Sequence, residues 1–226
     1  MRIIGLLCWY EEPESWLAEC VASAARLCDH IVAVDGPYAQ FPGALRRPAS
    51  GSEQADTIAR TASGAGIGAT IHVPRSPWWG GEVEKRDWMF KFAGLMTTAS
   101  DWLLVIDADE VLTAIPPDTR MLLEKSELDV AELRIWDRDG SETMDRRLLR
   151  ADPGLSVEGA HYVWTAPGPS GKKVLRGNQS LHNLAPAEPL WDLRMEHRNR
   201  QRPAYRQQAK QEYYTQLPDI EHIEEI

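Results

Sequence analysis

Membrane-length apolar runs are missing from this chain of 226 residues. No stretch approaches the roughly 20 apolar residues that a spanning helix needs. The apolar start Ile3–Cys8 is too short for a signal peptide and runs directly into Glu11 and Glu12. Basic residues are also in short supply: 25 Lys and Arg face 34 Asp and Glu, a formal net charge of −9. A general nucleic-acid binder needs the opposite excess, so nucleic acid is not an expected partner. Cysteine is sparse. Cys8, Cys20 and Cys28 lie in an apolar region without metal-type spacing, and they read as reduced, buried thiols of a cytoplasmic protein. Repeats and low-complexity segments are absent. Gly64-Ala65-Gly66-Ile67-Gly68 does not sit between a strand and a helix, so it reads as a turn and not as a dinucleotide fingerprint.

What is present is strand–helix–strand patterning. With 43% hydrophobic and 26% charged residues, the length suits one large α/β domain or two small ones. Arg2–Trp9 is a β-type run ending at Tyr10-Glu11-Glu12-Pro13, and Pro13 fits the first turn of a helix. Leu17, Val21, Ala24 and Cys28 then recur at helical spacing. Ile31–Val34 is a short buried strand that stops at Asp35-Gly36-Pro37. Strand, helix and strand within ~35 residues form a βαβ unit, which implies a parallel sheet. Residues 37–53 read as a loop, Ser52–Ala62 as a helix, Ala69–Val73 as a strand and Lys85–Met96 as a helix. Pro116-Pro117 punctuates the chain. Beyond it the pattern is less regular. Strands are expected at Ala131–Trp136, Arg146–Leu149 and Leu190–His197, an irregular strand pair at Val174–Leu184, and a last helix over Pro203–Leu217.

The chemistry concentrates in Asp101-Trp102-Leu103-Leu104-Val105-Ile106-Asp107-Ala108-Asp109-Glu110, a buried strand cut off by three carboxylates. If the strand stays extended, Asp107 and Asp109 point to the same side. Two carboxylates at a strand's carboxyl end offer hard oxygen ligands for Mn²⁺ or Mg²⁺. That edge of an open α/β sheet is also where ligands sit. The same edge would collect Cys8–Glu12, Asp35 and the segment Gly80–Arg86. Asp35 suits a hydrogen bond to a base or ribose. Lys85 and Arg86, expected in the first turn of a helix after Gly80-Gly81, suit phosphate oxygens. Each of these has a bland alternative as a turn residue or a solvated helix start. Together they describe a nucleotide diphosphate held by base contact, cation and metal.

The order of these pieces resembles the family-2 glycosyltransferases of the GT-A fold. Cys8-Trp9-Tyr10-Glu11-Glu12 stands where that family has a Pro-Thr-Tyr-Asn-Glu-like segment, with Glu11 in place of Asn. Ile31–Gly36 is similar to its strand ending in Asp-Asp-Gly-Ser, although the second Asp and the Ser are absent and Pro37 follows Gly36. Lys85-Arg86-Asp87 resembles its Ala-Arg-Asn, and Asp107-Ala108-Asp109 its Asp-x-Asp. Arg147–Arg150 and Glu158-Gly159-Ala160-His161 faintly resemble a downstream pattern of some members.

The resemblance implies a mostly parallel, twisted, Rossmann-like sheet with helices on both faces and an irregular C-terminal acceptor-side region. It implies a single domain over 1–226, with a nucleotide-sugar half (1–113) and an acceptor half (114–226). The implied activity is metal-dependent, inverting transfer of a sugar from a UDP-sugar to an acceptor hydroxyl on protein, glycan or lipid-linked sugar. Cys8, Tyr10, Glu12, Asp35, Lys85, Arg86, Asp107 and Arg198 would face the donor. Asp107 and Asp109 would meet Mn²⁺ or Mg²⁺, with a C-terminal His as a further ligand: His197, or His182 in reserve. Glu158 is the candidate acceptor base, with His161 and Glu110 behind it. The basic stretch Arg194–Lys210 would reach phosphate or acceptor, with residues 198–202 as a flap. Two other readings stand beside this one. A haloacid-dehalogenase-type phosphatase would use Asp107 as nucleophile and Asp109 as acid/base. A non-catalytic nucleotide-sugar-binding module would use the same donor contacts.

Overall fold

Alternation in the first strand sets up two cores. In β1 (Ile3–Cys8), Ile3 and Leu7 enter one apolar cluster while Ile4, Leu6 and Cys8 enter a second on the opposite face. A strand buried on both faces needs cover on both sides. On the first face lie α1 (Glu14–Ala24), through Leu17, Cys20 and Val21, and α2 (Ser52–Gly64), through Ile58 and Ala62. On the second lies α3 (Gly81–Gly94), through Met89, Phe90 and Ala93. The strands β2 (His30–Val34), β3 (Gly68–His72) and β4 (Trp102–Asp107) complete this half.

The computed structural model describes residues 1–137, 140–158, 161–165, 172–176, 184–198, 201–202 and 204–215. Its remaining elements are β5 (Glu110–Ala114), α4 (Thr119–Lys125), β6 (Val130–Asp137), β7 (Glu142–Arg150), β8 (Leu155–Glu158), β9 (His161–Thr165), β10 (Lys172–Arg176), β11 (Glu188–His197) and α5 (Ala204–Thr215). Eight strands form one sheet in the order β3-β2-β1-β4-β7-β6-β11-β5. The two halves of the chain therefore share a sheet.

That sheet is mixed. β3, β2, β1 and β4 are mutually parallel, as the βαβ pattern requires, and β11 is parallel to β6. β7 runs against both β4 and β6, and β5 runs against β11. The reversal follows from connection length, since β6 and β7 are joined only through residues 138–141 and a parallel pair needs a long crossover. Strands β10-β9-β8 form a separate antiparallel sheet. It adds Leu155, Val157 and Leu175 to the second core.

α3 begins a turn earlier than the expected Lys85 start. Gly81 takes a positive φ of 68°, and the Glu84 carboxylate accepts the Gly80 N–H at 2.7 Å. Glu82 and Glu84 in the first turn suit the positive end of the helix dipole. Lys85 and Arg86 consequently lie in the second turn, away from the free N–H groups. Among the described residues, no helix is long and apolar enough to cross a membrane.

Candidate functional site

Strand direction gathers the acidic residues. β1, β2, β4, β6 and β11 all run the same way, with β7 and β5 against them. Their carboxyl ends therefore lie along one edge, which collects Glu12, Asp35, Asp107, Asp137 and His197, together with Glu110 at the start of β5.

Trp102, Leu104 and Ile106 of β4 face the α1 side, while Leu103 and Val105 face the α3 side. Asp107 continues the second series, and its partner is accordingly Arg86 of α3, 3.1 Å away. The strand then does not extend to Asp109 as expected. Ala108 and Asp109 form a turn, closed by the Asp107 N–H donating to the Glu110 carboxylate at 2.7 Å. Asp107 and Asp109 thus approach from different directions. Glu110 is fully buried, and its other oxygen accepts from Arg147 of β7 at 2.5 Å. Burial raises the Glu110 pKa to about 7, against the pull of Arg147. Arg147 also lies 3.8 Å from Asp107 and 2.8 Å from Asp145, so one guanidinium ties the turn to β7.

Asp109 is 2% exposed. Its Oδ2 lies 3.5 Å from His197 Nε2 and 3.2 Å from Arg202, within ion-pair range of both but without hydrogen-bond geometry to either. Burial pushes the Asp109 carboxyl up, but His197 and Arg202 outweigh it and hold the group below the usual carboxylate range. His197 ends β11 beside Asp137 at the end of β6, with Nδ1 3.3 Å from Asp137 Oδ1. Burial alone would lower its pKa; Asp109, Glu110 and Asp137 instead push it up to about 9. Glu12 is likewise buried and meets Arg202 at 3.0 Å and Arg206 at 3.1 Å. Its pKa rises because burial exceeds the effect of the two arginines.

The other expected donor residues have specific places. The Asp35 carboxylate is buried and accepts both the N–H and the hydroxyl of Ser50, at 2.7 and 2.6 Å. Burial raises its pKa despite those bonds. Ser50 in turn accepts the N–H of Glu11, which has a left-handed φ of 52°. Tyr10 donates its hydroxyl to the Arg47 carbonyl at 2.9 Å. Lys85 is buried, and its ammonium donates to the carbonyls of Trp9 and Gly36 at 2.7 and 2.8 Å. It therefore braces the ends of β1 and β2. The Cys8 thiol is buried against the Met89 sulfur, 3.6 Å away. The Arg198 guanidinium pairs with Glu19 and Glu196, while the backbone N–H of Arg198 donates to the Asp109 carbonyl at 2.8 Å. Glu158 ends β8 and is exposed, next to Val157, whose N–H reaches Asp87 of α3 at 3.4 Å. His182 and residues 199 and 200 lie outside the described residues, as does the His161 side chain.

Sequence reasoning missed Arg147, Arg202 and Arg206 as partners of the acidic groups, and Asp137 as the second partner of His197. The excess of arginine near the C-terminus was the available signal for two of them. Beside Tyr10 a cleft of about 270 Å³ opens between Phe41, Arg46, Arg47 and the α5 residues Tyr205 and Arg206. Arg206 lies over the rings of Tyr10 and Phe41, with centroids at 5.6 and 5.5 Å.

Among the described residues, no group of three or more His, Cys, Asp or Glu side chains is arranged as a ready metal cage. The donor chemistry nevertheless suits a hard divalent ion. Asp107 and Asp109 would supply carboxylate oxygens and His197 an imidazole, and Asp109 Oδ2 is buried without a hydrogen-bond partner.

No family model and no curated protein matches the sequence. Among solved structures, the chain is similar to mannose-6-phosphate isomerase from Helicobacter pylori at 10% identity and a TM-score of 0.35. That similarity covers 80% of this chain and 62% of the other, less than two thirds of that protein's length.

Proposed function

We propose that this chain is a glycosyltransferase with a GT-A type of architecture, transferring a sugar from a UDP-sugar to an acceptor hydroxyl. One observation carries the reading: Asp109 and His197 meet 3.5 Å apart at the carboxyl edge of a sheet whose β3-β2-β1-β4 half is parallel, the edge at which Asp107 ends β4. That edge is where α/β sheets bind ligands. The residues for a divalent ion are Asp107, Asp109 and His197, and the ion would neutralise charge on the departing diphosphate. Arg86, paired with Asp107 and Glu82, would turn to a phosphate oxygen. Tyr10 and Asp35 flank the base, and Ser50 must release the Asp35 carboxylate for that contact.

The reaction is direct displacement. The acceptor oxygen bonds to the anomeric carbon as the bond from that carbon to the phosphate oxygen breaks, with inversion. The acceptor proton goes to a general base, assigned to Glu158. Support for that assignment comes from its exposure at the end of β8, a strand that packs beside α3. The test is a thermal-shift titration with UDP and Mn²⁺, in the native chain and Asp109→Asn. A ligand in hundredfold excess over its Kd stabilises by ~2.7 kcal/mol, which is readily measured. Stabilisation that needs both ligands and vanishes in the variant is expected. Equal shifts in both proteins would end the reading, and a phosphoenzyme trapped on Asp107 would replace it with a phosphatase.

A further inference from the structure

We propose that Arg202 is a built-in competitor for the divalent-cation site, and that α5 carries it away when the ion binds. The inference rests on the metal site proposed above and adds how that site is regulated.

Two nearly inaccessible carboxylates, Glu12 from the β1–α1 connection and Asp109 from the β4–β5 turn, are bridged by one terminal nitrogen of Arg202. The distances are 3.0 Å to Glu12 Oε1 and 3.2 Å to Asp109 Oδ2. Two buried carboxylates facing one another require a cation between them, because unpaired charge in such a place is strongly destabilising. Asp109 Oδ2 lacks a hydrogen-bond partner even here. The guanidinium therefore supplies positive charge at this oxygen without the directed bond a dedicated salt bridge would make, and leaves the oxygen able to coordinate.

The segment behind Arg202 is held lightly. Among the described side chains of α5, Tyr213 alone is buried. It packs on Tyr38 and Phe41, with ring centroids at 5.0 and 6.3 Å. Arg206 adds an ion pair to Glu12 and covers Tyr10 and Phe41. A helix anchored by so few apolar contacts belongs to the readily opened part of a fold. Its anchors lie on Tyr10 and Glu12, two of the groups expected to face the donor. Helix, cation and aromatic cover therefore leave together.

The experiment is Mn²⁺ binding, followed by water-proton relaxation, in the native chain, Arg202→Ala, Tyr213→Ala and Asp109→Asn. Tyr213→Ala loosens α5 while leaving every acidic side chain of the edge in place, so it decides the matter if Arg202→Ala fails to fold. Mn²⁺ should bind about tenfold more tightly in both variants, a change of 1.4 kcal/mol. Trypsin cleavage at Arg206 and Lys210 should quicken in the native chain on adding Mn²⁺. Native-like affinity in both variants, with loss in Asp109→Asn, would leave the metal site standing and overturn the competition. Tightening in Arg202→Ala but not in Tyr213→Ala would overturn the part given to α5. Absence of Mn²⁺ binding in every protein would overturn the metal site itself.

Discussion

Raising the pH through the range in which His197 loses its proton should remove a measurable part of the stability of the fold. Its ring bridges Asp109 of the β4–β5 turn and Asp137 at the end of β6, at 3.5 and 3.3 Å, which meet only in the folded chain. The ordinary imidazole value of 6.5 becomes about 9 in the folded state, where three carboxylates outweigh burial. That difference corresponds to ~3 kcal/mol at about 1.4 kcal/mol per unit. Because the folded chain holds this proton more tightly than the unfolded chain does, the contribution is complete below pH 6.5. It declines as the pH rises and is gone above pH 9. Glu110 acts in a lower window. Its value rises from 4.5 to about 7, so the folded chain again binds the extra proton and stability falls between those limits. Urea unfolding at pH values from about 6 to about 9.5, without divalent ion, measures the sum. The native chain should lose ~3 kcal/mol across the His197 window, whereas His197→Gln should be nearly level there. A native profile as level as the variant's, or an NMR-detected imidazole titrating near 6.5, would refute the bridge.

Three further outcomes follow from the same geometry. Arg147→Met should cost ~3–5 kcal/mol in urea unfolding, because it strands the buried Glu110 and a neighbouring Asp107; a loss below ~1 kcal/mol would show that the guanidinium does not hold the turn. Asp35→Ala should weaken UDP binding in calorimetry by ~1.5–3 kcal/mol while leaving pyrophosphate binding unchanged, and equal losses for both would move Asp35 away from the base. Gly36→Ala should destabilise by ~1–3 kcal/mol, since Gly36 has a φ of 99° and a new Cβ would meet Pro74 Cγ at 2.5 Å; an unchanged unfolding midpoint would contradict the described turn.

The first half of the fold was legible because its strands obey local rules. Ile3–Cys8 and Ile31–Val34 are short apolar runs with a helical repeat between them, and the parallel pairing follows from that order. The second half was less so. β5 carries only Val111, Leu112 and the small Ala114 as apolar signal and begins right after the acidic turn, so it was hidden behind Asp107–Glu110. The extension of β7 back to Glu142 crosses an almost wholly polar stretch, whose strand character comes from pairing with β6 rather than from its own pattern. At the site, Asp107 and Asp109 were visible as a motif, but their partners were not. Arg147 and Arg202 reach them across long sequence separations, and no local spacing encodes that. The α3 start was misread because Gly80-Gly81 signals a turn equally well one residue or five residues before a helix.

The position of β11 has a consequence for how the protein is made. β5 follows β4 in sequence, yet its sheet neighbour is β11, synthesised near the end of the described chain. Until β11 has emerged from the ribosome, β5 has no strand to pair with and β6 keeps an open edge. Such long-range pairing is slow, and an unpaired edge invites association with other chains. His197 and Arg202 arrive with or just after that same strand. A chain interrupted before β11 would carry Glu12 and Asp109 without the cations that face them, whereas Glu110 could already meet Arg147 of β7. Synthesis must therefore pass Arg202 before the acidic edge is neutralised, and nascent chains short of that point expose the open β6 edge that chaperones guard.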